Sequence, residues 1–364
     1  MGAELERLLD APRKARHGSG GVHPYLWRRP EKPPLRSGAT ADFIRFCAWL
    51  DGGELSARRP EAAAAAAFLR SKMLPNGAVP YEVASRTLAP VKECPYLVVD
   101  SVSAALAGQA CGDEELVGRS LDFVRWCYAQ APPGRLLPMW HNFEAPQSQM
   151  PDHWSQQASC HQSVAARLDI DEMVCSTWGE SVTDDFADVL RLAASSRAAN
   201  GLFDADRYRP DTPLHPHFIT CAALLKHSCD TGDAGALRTA SDATAAGVRL
   251  LAAGGGGGDA ATPDGRLAGH RRPRLLAAAI GAGLMANAAT GKETVPRGEL
   301  DGLAARIMDS RFGGGPSAGL LPVSGDSAWE EDTLVCVVGC MAAFQAITLL
   351  SAAGLAMGDF RLLL

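Results

Sequence analysis

Two kinds of helical pattern alternate along the chain. In the first kind, apolar residues recur every three or four positions among polar ones, as for Leu121, Val124 and Tyr128. These amphipathic patterns cover residues 2–16, 61–73, 114–130, 182–196, 236–253 and 298–312. In the second kind, nearly every position is apolar or small, over residues 38–51, 98–110, 154–168, 215–228, 272–288 and 331–350. A helix that is apolar all round is a buried helix, so each amphipathic helix is predicted to cover a buried one.

A glycine stands in the loop between each amphipathic pattern and the apolar pattern that follows it. Apolar residues come directly after it, in most cases with a proline soon after. The six positions are Gly21, Gly77, Gly134, Gly201, Gly265 and Gly319. Because they recur at intervals of 56, 57, 67, 64 and 54 residues, they mark an internal repeat of one supersecondary unit.

Six helical hairpins in tandem predict an all-α fold, a single (α/α)6 toroid with amphipathic helices outside and apolar helices inside. One such ring uses the whole chain, so we expect one domain over residues 1–364. The N-terminal helix and loop, residues 1–37, would pack as part of the ring. The loops that lead into the inner helices are long, and they would all emerge on one face. Long loops in a compact domain usually carry function, which makes this face the predicted mouth of a ligand site.

Composition and charge narrow the function classes. The chain is 47% hydrophobic and 21% charged, which excludes a disordered protein. A formal net charge of -6 argues against nucleic acid as a partner. The charged N-terminus lacks an apolar segment of the secretory type, and we expect no membrane span. Ten scattered cysteines favour buried free thiols in a reducing compartment. We therefore predict a cytoplasmic protein with a small-molecule substrate; the sequence carries no signal for an oligomeric state.

Titratable residues gather where the inner helices are predicted to begin. They are Asp100, Asp152, His153, His215, His217, His270 and the run Glu330-Glu331-Asp332-Thr333. Acidic residues at these positions also cap helices, which is the alternative reading for Asp100 and Asp332. A closed ring would bring all of them to one cavity. We therefore predict Glu331, Asp332, Asp100, His217 and His153 as catalytic candidates.

Aromatic residues mark the same face. They make up only 6% of the chain, yet Trp140, Trp154 and Trp329 fall in or at the end of the long loops. Together with His215, His270 and Tyr81 they are the predicted substrate-binding residues. Anchoring of the loops to the rim is the alternative role for these tryptophans. Cys160 and His161 adjoin each other without the spacing of a zinc motif, so we predict neither a metal nor a cofactor.

The repeat resembles that of the terpenoid cyclase and protein prenyltransferase toroids. Residues 68–108 and 189–225 are similar to single units of that family. Class II terpene cyclases carry an Asp-x-Asp-Asp-Thr motif whose middle Asp protonates an alkene or epoxide. The segment Trp329-Glu-Glu-Asp-Thr333 is similar in placement. The resemblance implies Glu331 as the proton donor and Asp332 as the adjacent acid. Carbohydrate-active enzymes use the same toroid.

Three functions remain open at this point. The first is an acid–base enzyme of the lyase, isomerase or cyclase type that acts on a hydrophobic, terpenoid-like substrate. Burial and acidic neighbours would raise the pKa of Glu331, while His217, His153 or Asp100 would accept the proton on the opposite side. The second is a carbohydrate-active enzyme, either a glycoside hydrolase, a polysaccharide lyase or a sugar epimerase. The third is a non-catalytic helical scaffold.

Overall fold

Most of the predicted repeats fall within the part of the chain that can be described. The structure, a computed structural model, describes residues 2–26, 33–52, 59–91, 96–130, 140–141, 197–198, 200–203, 211–255, 257–313, 317–323 and 334–360. The third inner pattern, 154–168, and the fourth outer pattern, 182–196, lie outside these residues.

Helices of the two predicted kinds alternate through the described residues. In chain order they are α1 Gly2–Glu6, α2 Asp10–Ala15, α3 Ser37–Leu50, α4 Pro60–Lys72, α5 Val98–Cys111, α6 Glu114–Gln130, α7 Leu214–Thr231, α8 Ala234–Ala253, α9 Pro273–Thr290, α10 Arg297–Asp309 and α11 Val337–Ser351. Short 3-10 turns occupy Arg7–Leu9 and Met357–Phe360. The inner helices are the odd-numbered ones from α3 to α11, and the helices between them are outer helices.

The inner helices pack side by side around an axis. Helix α3 contacts α5, α7 contacts α9, α9 contacts α11, and α11 returns to α3. Outer helices α4, α8 and α10 pack against the inner helices on either side of them in the chain, and α6 packs against α5. Helix α11 is buried over nearly its whole surface, which confirms the prediction from its uniform hydrophobicity. One hydrophobic cluster runs from Leu8 to Phe360, and a smaller one lies under α5 and α6. That residues 1–364 form one domain stays a prediction.

Two-residue strands lie directly before the inner helices and tie neighbouring loops together. Strand β2, Leu35–Arg36, pairs with β3, Glu82–Val83, and β4, Tyr96–Leu97, pairs with β5, Trp140–His141. Strand β6, Thr212–Pro213, pairs with β7, Ala260–Ala261, which also pairs with β8, Leu267–Ala268. All of these pairs are antiparallel, and they hold the loops on the face where the inner helices begin.

The last hairpin closes onto the first. Strand β1, Tyr25–Leu26, pairs with β9, Val335–Cys336, the strand that leads into α11. Helix α2 also packs against α11. That residues 1–37 as a whole form part of the ring stays a prediction. At the other end of the same seam, the Phe344 ring meets Phe46 and Trp49 edge-on at 6.1 and 6.3 Å between centroids. Aromatic pairs of this kind contribute about 1 kcal/mol beyond their buried area.

The repeated glycines sit in tight turns. Gly77, Gly201, Gly265 and Gly319 have φ between +79° and +85°, a region that a side chain makes costly. In the first repeat this position is Gly20, with φ +96°, and not Gly21 as the sequence comparison suggested. The reason for the shift is that the Gly20 N–H bonds the His17 carbonyl just as the Gly77 N–H bonds that of Leu74. At Gly77 a Cβ atom would also overlap the carbonyl oxygen of Arg119.

Three further expectations can be compared with the described residues. The last inner helix begins at Val337, six residues after the predicted start at 331, because residues 335 and 336 are taken up by β9. Cys47, Cys111, Cys221 and Cys340 are buried free thiols, whereas Cys229 is exposed. Within the described residues no helix has both the length and the hydropathy needed to cross a bilayer.

Candidate functional site

A cavity of about 450 Å³ opens among the N-terminal halves of the inner helices. Its described polar lining consists of Tyr25, Arg36, Asp42, Arg45, Tyr81, Asp100, Ser103, His215, Lys226, Arg274 and Cys336. Its apolar lining includes Leu97, Val99, Val102, Leu106, Phe218, Ile219, Ala222, Ala278, Met285 and Val338. A volume of this size is in the range of small-molecule sites.

The cavity is long as well as wide. On α7 the lining runs from His215 to Lys226, and on α9 it runs from Arg274 to Met285. Because an α-helix rises 1.5 Å per residue, each of these spans covers about 16 Å along the ring axis. Arg36, Tyr81, Asp100, His215 and Arg274 belong to the mouth, at or just before the starts of the inner helices. Below them the walls of α5, α7 and α9 are mostly aliphatic.

Asp100 is the buried acid of this cavity. It is the third residue of α5 and is only 7% exposed. Its Oδ2 atom is buried and has no hydrogen-bond partner among the described residues. Burial and, to a smaller extent, the nearby Asp42 raise the pKa of Asp100 to about 8, while Arg36 opposes the shift. Asp100 is therefore largely protonated at neutral pH, a state in which a carboxyl can donate a proton.

A second carboxyl lines the cavity one helix away. Asp42, on the second turn of α3, faces two guanidinium groups. Its Oδ2 lies 4.0 Å from a terminal nitrogen of Arg274, and its Oδ1 lies 4.0 Å from one of Arg45. Burial raises the pKa of Asp42, and both arginines oppose that rise. These are long ion pairs, so they leave most N–H donors of Arg274 unused.

Arg36 links the two strands at the mouth. Its guanidinium donates to Oε1 of Glu82 from Nε at 3.2 Å and from a terminal nitrogen at 3.1 Å. It also lies over the Tyr81 ring, 4.1 Å from the centroid, and 5.6 Å from the centroid of Tyr25. Burial raises the pKa of Tyr81 to about 12, so its hydroxyl keeps its proton. Tyr81 lines the cavity, and its role in substrate binding stays a prediction.

His215 and His217 face opposite ways. His215, on the first turn of α7, lines the cavity, where burial and the positive charges of Arg274 and Arg272 lower its pKa to about 3. His217 follows two residues later, about 200° around the helix. Its Nδ1 accepts from the Phe203 N–H and its Nε2 bonds the Ala243 carbonyl, both at 3.1 Å.

Both ring nitrogens of His217 are thus engaged by backbone, and burial lowers its pKa to about 3 as well. The residue joins α7 to α8 and to the glycine turn at Gly201, outside the described cavity lining. The expectation of His217 as a proton acceptor at the mouth therefore gains no support from its position. The catalytic role of His217 stays a prediction.

Among the other predicted site residues, His270 and Trp140 are described by the structure and the rest are not. His270 is exposed in the loop before α9, where its N–H bonds Oδ1 of Asp259 at 3.3 Å, and it is not part of the cavity lining. The backbone of Trp140 forms β5 beside the start of α5. The remaining residues, His153, Trp154, Trp329, Glu331 and Asp332, lie outside the described residues.

Sequence reasoning missed Asp42, Arg36 and Arg274. The signal for Asp42 was present, because it and Arg45 interrupt the otherwise apolar pattern of α3, and a charge in a buried helix needs a partner. Among the described residues, no three His, Cys, Asp or Glu side chains group closely enough to hold a metal ion. Cys160 and His161 lie outside those residues.

Comparison with known proteins identifies the fold. No protein-family model and no curated relative matches the sequence. Among solved structures, a sugar epimerase from a ruminal bacterium is similar at a TM-score of 0.73 and 11% identity, over 95% of this chain and 98% of that one. Cellobiose 2-epimerase from Bacillus thermoamylovorans is similar at 0.72 and 10%, over 94% and 98%.

The type II terpene cyclase MstE from Scytonema is similar at a TM-score of 0.61 and 12% identity, over 97% of this chain and 98% of that one. With these structures, the predicted all-α toroid and the resemblance to the terpenoid cyclase type of ring are confirmed at the level of architecture. At identities this low, the structural similarity establishes the fold alone, and that fold is the (α/α)6 toroid.

Proposed function

We propose that this protein is an acid–base enzyme that rearranges an elongated, largely apolar substrate of the terpenoid class. The carrying observation is Asp100: a carboxyl that is protonated at neutral pH, is 7% exposed and has an unpartnered oxygen, at the head of a cavity with aliphatic walls. The cavity, which extends about 16 Å along the axis, suits a chain-like molecule better than a compact one.

In the proposed reaction, Asp100 gives its proton to an alkene carbon of the bound substrate. A C–H bond forms and positive charge develops on the neighbouring carbon, which a second double bond of the same chain attacks to form a ring. The resulting cation loses a proton to solvent, which restores an alkene, and Asp100 takes up a proton from solvent, so the product is an isomer of the substrate. The rings of Tyr25, Tyr81 and Phe218 line the cavity and would stabilise the cation through their faces.

The raised pKa of Asp100 suits this role. An acid works best when its pKa lies near the working pH, and Asp100 at about 8 meets that condition. Glu331 and Asp332 stay proposals from the sequence as the donor and its neighbour. His153 as a base and Trp140, Trp154 and Trp329 as substrate contacts are likewise proposals from the sequence. A cytoplasmic location also stays a proposal.

The test is turnover of linear polyprenyl alcohols and squalene by the purified chain, followed by gas chromatography of cyclic products. Asp100→Asn keeps the shape and removes the acid, and it should lower turnover at least about 100-fold. Asp264→Asn, in an exposed turn on the loop side, is the matched control and should leave turnover unchanged. If Glu331→Gln abolishes turnover while Asp100→Asn does not, the donor is Glu331 and the assignment of Asp100 is wrong.

A carbohydrate-active enzyme is the second candidate. The sugar epimerases named above have the same fold, and the mouth combines a protonated carboxyl with the neutral imidazole of His215. Epimerisation needs a base as well as an acid, and a base with a pKa near 3 is weak. Exchange of solvent deuterium into cellobiose or mannose would favour this function over the first.

A further inference from the structure

We propose that the substrate carries an anionic head group, a carboxylate or a phosphate, which binds to Arg274 at the mouth of the cavity. This inference rests on the proposed function and specifies its substrate class. Arg274 is the second residue of α9, lines the cavity and has a side chain that is 43% exposed. It therefore presents a guanidinium to any molecule that enters.

Among the residues that the structure describes, few acceptors engage the N–H donors of Arg274. Within the described residues its one carboxylate neighbour is Asp42, at 4.0 Å, and that carboxylate is shared with Arg45. The adjacent Arg272 differs, because it is held by Oδ2 of Asp259. A guanidinium has five N–H donors arranged to grip an oxyanion with two parallel bonds.

The charge of the lining also favours an anion. Four cationic side chains line the described cavity, Arg36, Arg45, Lys226 and Arg274, against two carboxyls, Asp42 and Asp100. Asp100 is the buried, unpartnered acid described above and carries no charge while it is protonated. This positive lining lies within a chain whose net charge is -6, so the excess is local to the cavity.

The backbone adds to this field. Helices α3, α5, α7 and α9 all begin at the mouth without a side-chain cap on their first N–H groups. Each helix N-terminus carries a partial positive charge. An anionic group on Arg274 would hold one end of the substrate at the rim, and the apolar remainder would extend past Asp100 toward Ile219 and Met285.

The experiment compares three probes with one hydrocarbon chain: farnesol, farnesoate and farnesyl monophosphate. Their affinities are measured by equilibrium dialysis, below the concentrations at which they aggregate. Because binding is measured without turnover, the result does not depend on which residue is the acid. We expect at least one anionic probe to bind tenfold or more tightly than farnesol, a difference of about 1.4 kcal/mol.

Arg274→Gln should abolish this preference, and Arg274→Lys should restore part of it. Arg266→Gln is the control, since it removes the same charge from an exposed site on the loop side that is already paired with Asp264. A preference for both anions identifies any oxyanion as the head group, whereas a preference for the phosphate alone identifies a phosphate ester. Either result supports the inference.

Equal binding of farnesol and both anions by the wild-type chain would overturn the inference and leave the proposed function standing. A preference that survives Arg274→Gln and disappears in Lys226→Met would also overturn it, because the head group would then lie at the lower end. If none of the three probes binds, the apolar cavity of the proposed function is itself contradicted.

Discussion

Gly38 and Asp100 approach each other so closely that a Cβ atom on residue 38 would lie 2.6 Å from Oδ1 of Asp100. Gly38 lies on the first turn of α3 and Asp100 on the first turn of α5, so the contact joins two inner helices at the mouth. The absence of a side chain at position 38 thus leaves room for the buried carboxyl.

Gly38→Ala should therefore move the acid and lower turnover by tenfold or more, because a carboxyl displaced by 1 Å no longer meets the reacting atom. Helical content, measured by circular dichroism, should stay unchanged. The control is Gly302→Ala on α10, where a Cβ atom meets nothing within 4 Å; it should stabilise the fold by about 0.5–1 kcal/mol. Equal turnover by the two variants would show that the carboxyl tolerates displacement.

Asp100 should make the fold less stable as the pH rises. Its pKa is about 8 in the folded state and 3.8 as the unperturbed value, so the folded chain binds more protons between these limits. The stabilisation is complete below pH 3.8 and declines up to pH 8. Asp100→Asn has no carboxyl to ionise, so its stability does not decline in this way. The unfolding free energy of the variant minus that of the wild type should be on the order of 2 kcal/mol larger at pH 7 than at pH 5.

Urea titrations of both proteins at the two pH values measure this difference. Asp264→Asn, at a fully exposed site, should show no comparable change in gain between pH 5 and pH 7. A constant gain for Asp100→Asn at both pH values would mean that Asp100 is ionised in the folded state, and its role as an acid at neutral pH would fall.

His217 should matter for stability and not for chemistry. Its replacement by Ala leaves the Phe203 N–H buried without this partner and removes a second bond to the Ala243 carbonyl, which keeps its bond within α8. We expect a cost of about 1–3 kcal/mol. His217→Ala should lower the melting temperature by several degrees, while the folded fraction keeps its turnover number. The exposed His270→Ala is the control and should fall within about 0.5 kcal/mol of the wild type. A loss of turnover without a loss of stability would restore His217 as a catalytic candidate.

The glycine turns should differ in their tolerance of a side chain. Gly77→Ala meets both a left-handed backbone, with φ +85°, and the Arg119 carbonyl. Gly265→Ala has a similar φ of +79° but no atom within 4 Å of the new Cβ. We expect a cost of about 1 kcal/mol at Gly265 and at least about 2 kcal/mol more at Gly77, measured by chemical denaturation. Similar costs would indicate that the turn at Gly77 shifts away from α6.

Periodicity predicted the ring because each hairpin repeats the same alternation of amphipathic and apolar helices. It also predicted Asp100 and His215 at the mouth, since residues at the starts of inner helices share one level. It did not separate His215 from His217, although two residues on a helix differ by 200° and cannot line the same cavity. The sequence did not predict Arg36 and Arg274 as site residues, because arginines beside helix starts are common on protein surfaces. Their proximity to Asp42 and Asp100 arises only when the ring is folded.

The pairing of β1 with β9 has a consequence for how the chain reaches its fold. Tyr25 meets Cys336 across about 310 intervening residues, so the seam closes only when the last hairpin is in place. Until then the flank of α3 that carries Phe46 faces water instead of Phe344. On the ribosome, the growing chain would expose this apolar flank through most of its synthesis. Contacts this distant in sequence slow folding, and partly folded chains with such surface aggregate, so nascent copies should depend on chaperones until the ring is complete.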